Sequence, residues 1–394
     1  MILGAGPLQV PAIKILKKLG YKVIACDYDP NAVGFKYVDI GLLVSTIDKE
    51  EILKQAKIYK PDFIMTSTSD APVKTVAYVS EKLGKRVDIS YEDAICATEK
   101  HAMRNRLEEY GVPIPRYFVC HSYNDFRSAV ENFQDICVIK PSDNAASRGV
   151  ELLNCNCNEK EKYEKYEYTR SFSRNGIILL EEYMDGPEVS VEGIIQNKKL
   201  KIIAITDKNI TKKPYFVEIG HSEPSMIDNE TKDKIKKITE LAVGAIGINN
   251  GVCHTELKIT SQGPKVVEVA ARLGGDNITS KLVPISTGVD IVKASVMLAL
   301  GKSIEVNNIY SKGSAIRFIY AEKEGILNSI LVDECVKKFR GVEEIEFYVK
   351  SGDRVSTLHN SNDRLGHIIT SGNNAVEAIE RAESILKHIT LNYK

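Results

Sequence analysis

The sequence carries no net charge: 53 lysines and arginines balance 53 aspartates and glutamates over 394 residues. That balance argues against a long polyanion such as nucleic acid as a partner, while leaving room for a local basic pocket that holds phosphates. No apolar run approaches the ~20 residues needed to cross a bilayer. The opening Met1-Ile2-Leu3-Gly4-Ala5-Gly6 lacks the charged start and cleavage site of a signal peptide, so a cytoplasmic protein with no membrane partner is expected. Nor do the eight cysteines suggest a disulfide framework. They are scattered at 26, 96, 120, 137, 155, 157, 253 and 335, several in apolar runs, and read as reduced thiols. The Cys155-Asn156-Cys157 pair lacks the second half of a zinc pattern. Internal repeats and low-complexity segments are also missing, and the length suits two to four subdomains.

What is present begins with alternation. Strands at 1–3, 22–26 and 62–66 alternate with helical spacing at 10–19, 49–59 and 71–83. This pattern predicts a parallel sheet with helices on both faces, ending near residue 94. Gly4-Ala5-Gly6 follows the first strand, but Gln9 stands where a dinucleotide fingerprint has its third glycine, so a tight turn near a ligand is expected rather than an NAD site. From 95 the pattern changes. A charged helix over 94–110 leads through an extended connector at 112–115 to strands at 135–140, 149–153, 177–182, 189–195, 201–206, 255–259 and 265–269, several with hairpin spacing. This region is α+β and largely antiparallel, and its tyrosine-rich run 159–174 reads as a solvated helical face. Strands at 315–320 and 344–348 and an amphipathic helix at 375–388 follow.

Four features of the middle region bear on chemistry. Lys100 follows Thr98-Glu99 on a helix, and Lys140 ends the apolar strand Ile136-Cys137-Val138-Ile139; each can meet a phosphate as a point charge. The loop Pro141-Ser142-Asp143-Asn144-Ala145-Ala146-Ser147-Arg148-Gly149 has small side chains that leave backbone amides and hydroxyls free for phosphate oxygens. In Leu180-Glu181-Glu182-Tyr183-Met184 and the following Glu188, a carboxylate at a strand end can accept from an adenine amino group or a ribose hydroxyl; a solvated strand end is the alternative. Finally, Glu256 and Glu268 flank the turn Gly263-Pro264, which sets them side by side on paired strands. Two adjacent buried carboxylates repel and need a counter-ion, and oxygen ligands suit magnesium. Arg272, just beyond, has a guanidinium able to grip a phosphoryl or carboxylate group.

Together these features resemble the ATP-grasp superfamily, and within it the L-amino-acid-ligase-like carboxylate–amine ligases of biotin-carboxylase-like architecture. The resemblance covers essentially the whole chain. It implies a pre-ATP-grasp domain of Rossmann-like α/β type over 1–94, an ATP-grasp domain over 95–308 with a lid at about 115–182, and a C-terminal α+β subdomain over 309–394. It places ATP on Lys100, Lys140, Ser147, Arg148, Gly149, the hinge Glu181, Glu182, Tyr183 and Met184, and the ribose-binding acid Glu188. It gives Glu256 and Glu268 to magnesium, or manganese, and makes Arg272 the catalytic arginine. Glu218-Ile219-Gly220-His221 with Pro224-Ser225 is similar to the substrate-proximal stretch, where a carboxylate and an imidazole can hold an ammonium and take its proton. Asp276 either lines the acceptor pocket or caps the next helix.

Two departures stand out. Many relatives have asparagine where this chain has Ala270, which leaves the number of metal ions open, and Ala145-Ala146 stand where relatives often have glycine. The implied reaction activates a small carboxylic acid as an acyl-phosphate, and an amine then displaces phosphate. A homodimer is implied by the resemblance alone. Alternatives are a bicarbonate-using carboxylase of the purine-biosynthesis type and a non-catalytic nucleotide-binding subunit.

Overall fold

Period-two alternation in the first strands decides the first layer. A computed structural model describes residues 1–145, 147–211 and 215–394; Ala146 of the phosphate loop lies outside them. Strands Ile2–Leu3, Ile24–Asp27 and Ile40–Leu43 form a parallel three-stranded sheet. Ile2 and Ala25 turn to one core with Ala12, Ile13 and Leu16 of helix Val10–Lys18. Leu3, Ile24 and Cys26 turn to the other, with Ile52, Leu53 and Ala56 of helix Lys49–Tyr59. The sheet is therefore covered on both faces, as the alternation of strands and helices predicts. The segment at 62–66 makes only a single parallel bridge, Met65 to Ile2, whereas Ile40–Leu43 supplies a strand that the pattern did not signal. Gly41 interrupts that apolar run, and half of its side chains face outward.

The sequence pattern predicts one helix over 94–110, and the structure has two, Tyr91–Cys96 and Lys100–Glu109. Ser90 caps the first by accepting from Asp93 N–H, and extended backbone at Glu99 starts the second. Lys100 thus becomes the first residue of its helix. Next, strands Tyr117–Cys120, Ile136–Pro141, Glu151–Asn154 and Ile178–Glu182 make a separate antiparallel sheet. Phe126, Ile139, Leu153, Tyr166 and Leu180 form a core of its own.

An eight-stranded antiparallel sheet holds the rest together. Its order is Gly263–Ala270, Gly251–Thr260, Glu188–Gln196, Lys199–Ile210, Glu218–Glu223, Gly313–Tyr320, Arg364–Gly372, Val342–Phe347. Helix Asn229–Ile246, capped by Asp228 and ended by left-handed Gly247, lays Ile235, Ala242 and Ile246 on one face. Helix Ile291–Ala299 covers the other, next to Ile13 and Leu16 of the first layer. Each such buried aliphatic side chain contributes roughly 1.5–3 kcal/mol, enough to fix these strand ends relative to one another. Among the described residues no single helix is long and apolar enough to cross a membrane.

Candidate active site

Where the three sheets meet, a cavity of about 800 Å³ opens, lined by Gly4, Asp27, Asp70, Lys100, Glu268 and Arg272 among others. A smaller chamber of about 210 Å³ joins it and is lined by Val138, Lys140, Tyr183, Met184 and Val267. Lys100, Glu256, Glu268 and Arg272 border both. Val138, Tyr183, Met184 and Val267 give the small chamber an apolar lining; the large one mixes charged side chains with Pro7, Ala32, Val33 and Ile278.

Lys140 leaves the buried strand Ile136–Pro141 and points its ammonium at Glu181 Oε2, 2.6 Å away. Arg104 grips the same carboxylate with Nε at 2.8 Å and Nη2 at 3.1 Å, and also donates to the Val267 carbonyl. All three groups are buried. Burial alone would raise the Glu181 pKa, but the two cations outweigh it and hold the carboxyl at about 2. Burial lowers Lys140 to about 8, since it shares its carboxylate with Arg104, and Arg104 and Lys100 both repel it. The Glu181 side chain is therefore committed to these cations, while Glu182 pairs with Lys265 at 3.2 Å. Tyr183, Met184 and Glu188 line the small chamber as well.

The phosphate loop is tied to this group. Lys100 Nζ donates to the Asn144 carbonyl at 2.9 Å and lies 3.1 Å from Glu268 Oε2. Burial disfavours its charge, but Glu268 and Asp70 raise its pKa on balance. Ser147 adopts φ +55, and Arg148 Nε donates to the Ala145 carbonyl. Gly149 has φ +73, and a Cβ there would fall 2.7 Å from Phe172 Cβ, so the turn requires glycine.

Opposite lies an acidic group. The hairpin register pairs Glu256 directly with Glu268, as the Gly263-Pro264 turn predicts. Glu256 Oε1 accepts from Lys208 at 2.7 Å and from His254 Nε2 at 3.2 Å. Lys208 also reaches Glu188 at 2.6 Å and Glu218 at 3.5 Å, so one cation serves three carboxylates. Burial opposes its charge, and the carboxylates outweigh it, raising its pKa well above the lysine range. By the same balance Glu256 is held well below the usual carboxylate range, against the effect of burial. His254 Nδ1 sits 2.6 Å from buried Glu192; burial lowers the imidazole, but Glu192 and Glu256 carry it to about 9, so it is cationic at neutral pH. The facing carboxylates of Glu256 and Glu268 are the hard oxygen donors that magnesium takes.

On the far wall of the large cavity, Arg272 forks onto Asp70 at 2.7 and 3.0 Å, joining residues 202 positions apart. Burial is again outweighed, here by Asp70, and the guanidinium stays charged. Below it runs a chain of contacts. His221 Nε2 lies 3.1 Å from Asp276 Oδ2; Arg364 donates to Asp276 at 2.9 Å and to Glu218 at 3.0 Å, and stacks on Phe318 at 3.8 Å. Asp276 and Asn277 both adopt positive φ, which turns the Asp276 carboxylate into the cavity instead of onto the next helix as a cap. His221 and Arg364 hold that carboxyl well below its usual range although burial works against them.

The structure thus brings the candidate nucleotide, metal and substrate residues to the rim of the two chambers or next to it, whereas Pro224 and Ser225 line a separate pocket. It adds Arg104, Lys208, His254, Glu192, Asp70 and Arg364. Lys208 had a usable signal, since it is the cross-strand partner of both Glu188 and His221. Arg364, 146 positions from Glu218, had none.

Comparison with known proteins follows the geometry. Residues 133–280 match the ATP-grasp domain, and residues 317–394 match the L-amino acid ligase C-terminal domain 2. Alanine–anticapsin ligase of Bacillus subtilis (strain 168) is 27% identical over 324 residues, covering 77% of this chain and 67% of that protein. The chain spans about 60 to 67% of the length of the curated relatives it matches. An L-amino acid ligase structure from Bacillus licheniformis has the same fold, with a TM-score of 0.83 at 22% identity over 100% of this chain and 98% of that one. So does the biotin carboxylase domain dimer of Hydrogenobacter thermophilus 2-oxoglutarate carboxylase, solved with MgADP and bicarbonate, with a TM-score of 0.75 at 17% identity over 99% and 90%. By these matches the chain carries an ATP-grasp domain and, over residues 317–394, a domain of the kind found in the L-amino acid ligases.

Proposed function

We propose that the protein is an ADP-forming carbon–nitrogen ligase that joins a small carboxylic acid, such as an amino acid, to an amine through an acyl-phosphate. The observation that carries this reading is the meeting of phosphate-seeking cations and paired acids in one site: Lys140 borders the small chamber, and Lys100, Glu256, Glu268 and Arg272 border both. ATP lies with its adenine between Val138, Tyr183 and Met184 and its phosphates toward Lys140, Lys100 and the loop ending at Gly149. Glu256 and Glu268 hold magnesium, or manganese, which neutralises phosphate charge when bound.

The chemistry then needs two displacements. A carboxylate oxygen of the substrate attacks the γ-phosphorus, the bond to the bridging oxygen breaks, and ADP leaves. Next the amine nitrogen attacks the acyl carbon, the carbon–oxygen bond to phosphate breaks, and the nitrogen gives up a proton. Arg272 and Lys100 stand where charge develops on the transferring group, and positioning supplies much of the remainder. Glu218 and Asp276 supply acceptors for the incoming ammonium, and His221 Nε2 donates to Asp276 and positions that carboxylate. A homodimer is part of this reading, checked by light scattering.

The test separates the half-reactions. In His221→Ala and Glu218→Gln, acyl-phosphate trapped as a hydroxamate should persist while amide formation falls by about 10²-fold or more. Equal loss of both steps removes these residues from the amine side. ADP release with bicarbonate alone, and none with paired carboxylates and amines, replaces the ligase by a carboxylase.

A further inference from the structure

The C-terminal unit gathers a second set of donors well away from the cavity. Strand Gly325–Val332 pairs antiparallel with Ile389–Tyr393, Val332 opposite Ile389. The ladder is extended by Asp333 N–H donating to the His388 carbonyl at 3.1 Å. That register sets the side chains of Asp333 and His388 against each other. The short helical turn Glu334–Lys338, anchored by buried Val336, brings Cys335 to the same place. His388 Nδ1 lies 2.9 Å from Asp333 Oδ2 and 3.5 Å from Cys335 Sγ. All three donor atoms fall within 4.8 Å of one another.

A single ring nitrogen has either a proton or a lone pair to offer, and cannot satisfy a carboxylate and a thiol together. His388 pairs with Asp333 at 2.9 Å and leaves the Cys335 thiol at 3.5 Å, whereas a cation between the three would satisfy all of them at once. The sulfur–nitrogen spacing agrees, and the carboxylate would open from 2.9 Å to about 3.3 Å from Nδ1 around a metal. Zinc bonds of about 2.3 Å to sulfur and about 2.0–2.1 Å to nitrogen at tetrahedral angles place the two atoms roughly 3.5 Å apart. Phe339 packs its ring edge-on against His388 at 5.6 Å, which fixes the plane of the imidazole. A neighbouring group, Glu344, Glu346 and His367, is different in kind. There His367 Nδ1 is taken by the Tyr348 hydroxyl at 2.7 Å, Glu344 is paired with Lys281 at 2.8 Å, and the group contains no thiol. Cys335 is also the only one of the eight cysteines that is exposed, whereas the others are buried or half-buried.

We propose that Asp333, Cys335 and His388 bind a divalent transition metal of the zinc type, with water in the fourth position. Carboxylate, thiolate and imidazole select such an ion over magnesium, which prefers oxygen alone. Binding releases the thiol proton to solvent and clips the closing strand to the turn Glu334–Lys338.

Cobalt(II) is the probe, titrated into full-length protein stripped with a chelator. One equivalent should bind with a thiolate-to-cobalt charge-transfer band, and zinc should displace it at micromolar concentration or below. Glu256 and Glu268 have no thiolate, so the band isolates this site from the cavity. Cys335→Ser and His388→Ala should each abolish the band, and Asp333→Asn should weaken cobalt binding about tenfold or more. Zinc should raise the melting temperature of the wild type and leave that of folded Cys335→Ser unmoved. ATP turnover with magnesium should be the same in all of them. Absence of the band in the wild type, its survival in either Cys335→Ser or His388→Ala, or binding only at millimolar metal would overturn the assignment.

Discussion

On the nucleotide side, Glu181 sits between two cations, Arg104 and Lys140; across the cavity, Lys208 sits among three carboxylates, Glu188, Glu218 and Glu256. The two groups are near mirror images in stoichiometry. In the first, one anion is over-supplied, so each cation is only partly neutralised and keeps attraction for another anion. In the second, one cation bridges three carboxylates that His254, Arg364 and Lys258 also reach from the side, and Glu256 still faces Glu268 as a pair of oxygen donors for a metal. Zero net charge over the whole chain conceals this division. Buried charges left partly uncompensated cost stability, and they are tolerated where a ligand completes them.

The sharpest way to break the contrast is to neutralise the acidic side. Glu256→Gln and Glu268→Gln should each cut turnover by roughly 10³-fold or more, the rate equivalent of the several kcal/mol that a metal contributes. Nucleotide affinity should fall only with magnesium present, as calorimetry with and without the metal would reveal. Unchanged turnover in both variants rules out the metal assignment.

Arg272→Lys comes next, with a loss of about 10²–10³ in rate and little change in ATP affinity. Because Arg272 is forked onto Asp70, the companion Asp70→Asn separates the two roles. A rate near wild type in Asp70→Asn together with a collapse in Arg272→Lys shows that the guanidinium acts on substrate. Equal loss in both makes it a structural pair.

Lys208→Met tests the bridging cation. Removing one partner from a buried ion group costs several kcal/mol, and here roughly 3 kcal/mol is expected, at the low end because the carboxylates border the cavity. Magnesium should recover more melting temperature in this variant than in the wild type, since the metal replaces the missing charge. Equal magnesium shifts in the two proteins would separate Lys208 from the metal site.

The smallest effect concerns pH. Lys140 has its pKa lowered to about 8, so its charge is present below that value and lost above it. Nucleotide affinity should weaken as pH rises through about 8, by at most roughly tenfold per pH unit. In Arg104→Met, Lys140 has Glu181 to itself and loses a repelling neighbour, so the break should move upward. A flat profile in the wild type removes Lys140 from the phosphate site.

What could be read from the sequence, and what could not, follows from how local each signal is. Glu256 and Glu268 were legible because a two-strand turn at Gly263-Pro264 settles their register within a dozen residues. Lys140 was legible because an apolar strand leads to it. Arg104 was not: it lies on a helix with Lys100, His101 and Arg106, and only Glu181, 77 positions away, distinguishes it from its solvated neighbours. Asp70 and Arg364 are the same case, with partners 202 and 146 positions off. The fold divides similarly. Helix Lys49–Tyr59 appeared with the bounds expected, since Asp48 caps it and its apolar face is regular. The break at Glu99 was hidden because no glycine or proline marks it.

The eight-stranded sheet has a consequence for anyone who recombines such chains. Strand Glu218–Glu223 is hydrogen-bonded on one side to Lys199–Ile210 and on the other to Gly313–Tyr320. Cutting the chain just before Gly313 would therefore not detach an appendage. It would uncover Gly220–Glu223 of the strand that carries Glu218 and His221, an open edge that invites pairing with another molecule. It would also remove Arg364, the clamp on Glu218 and Asp276. A chimera that imports a foreign C-terminal segment must bring a strand that fits this seam and an arginine at the same register, or its acceptor pocket arrives unassembled.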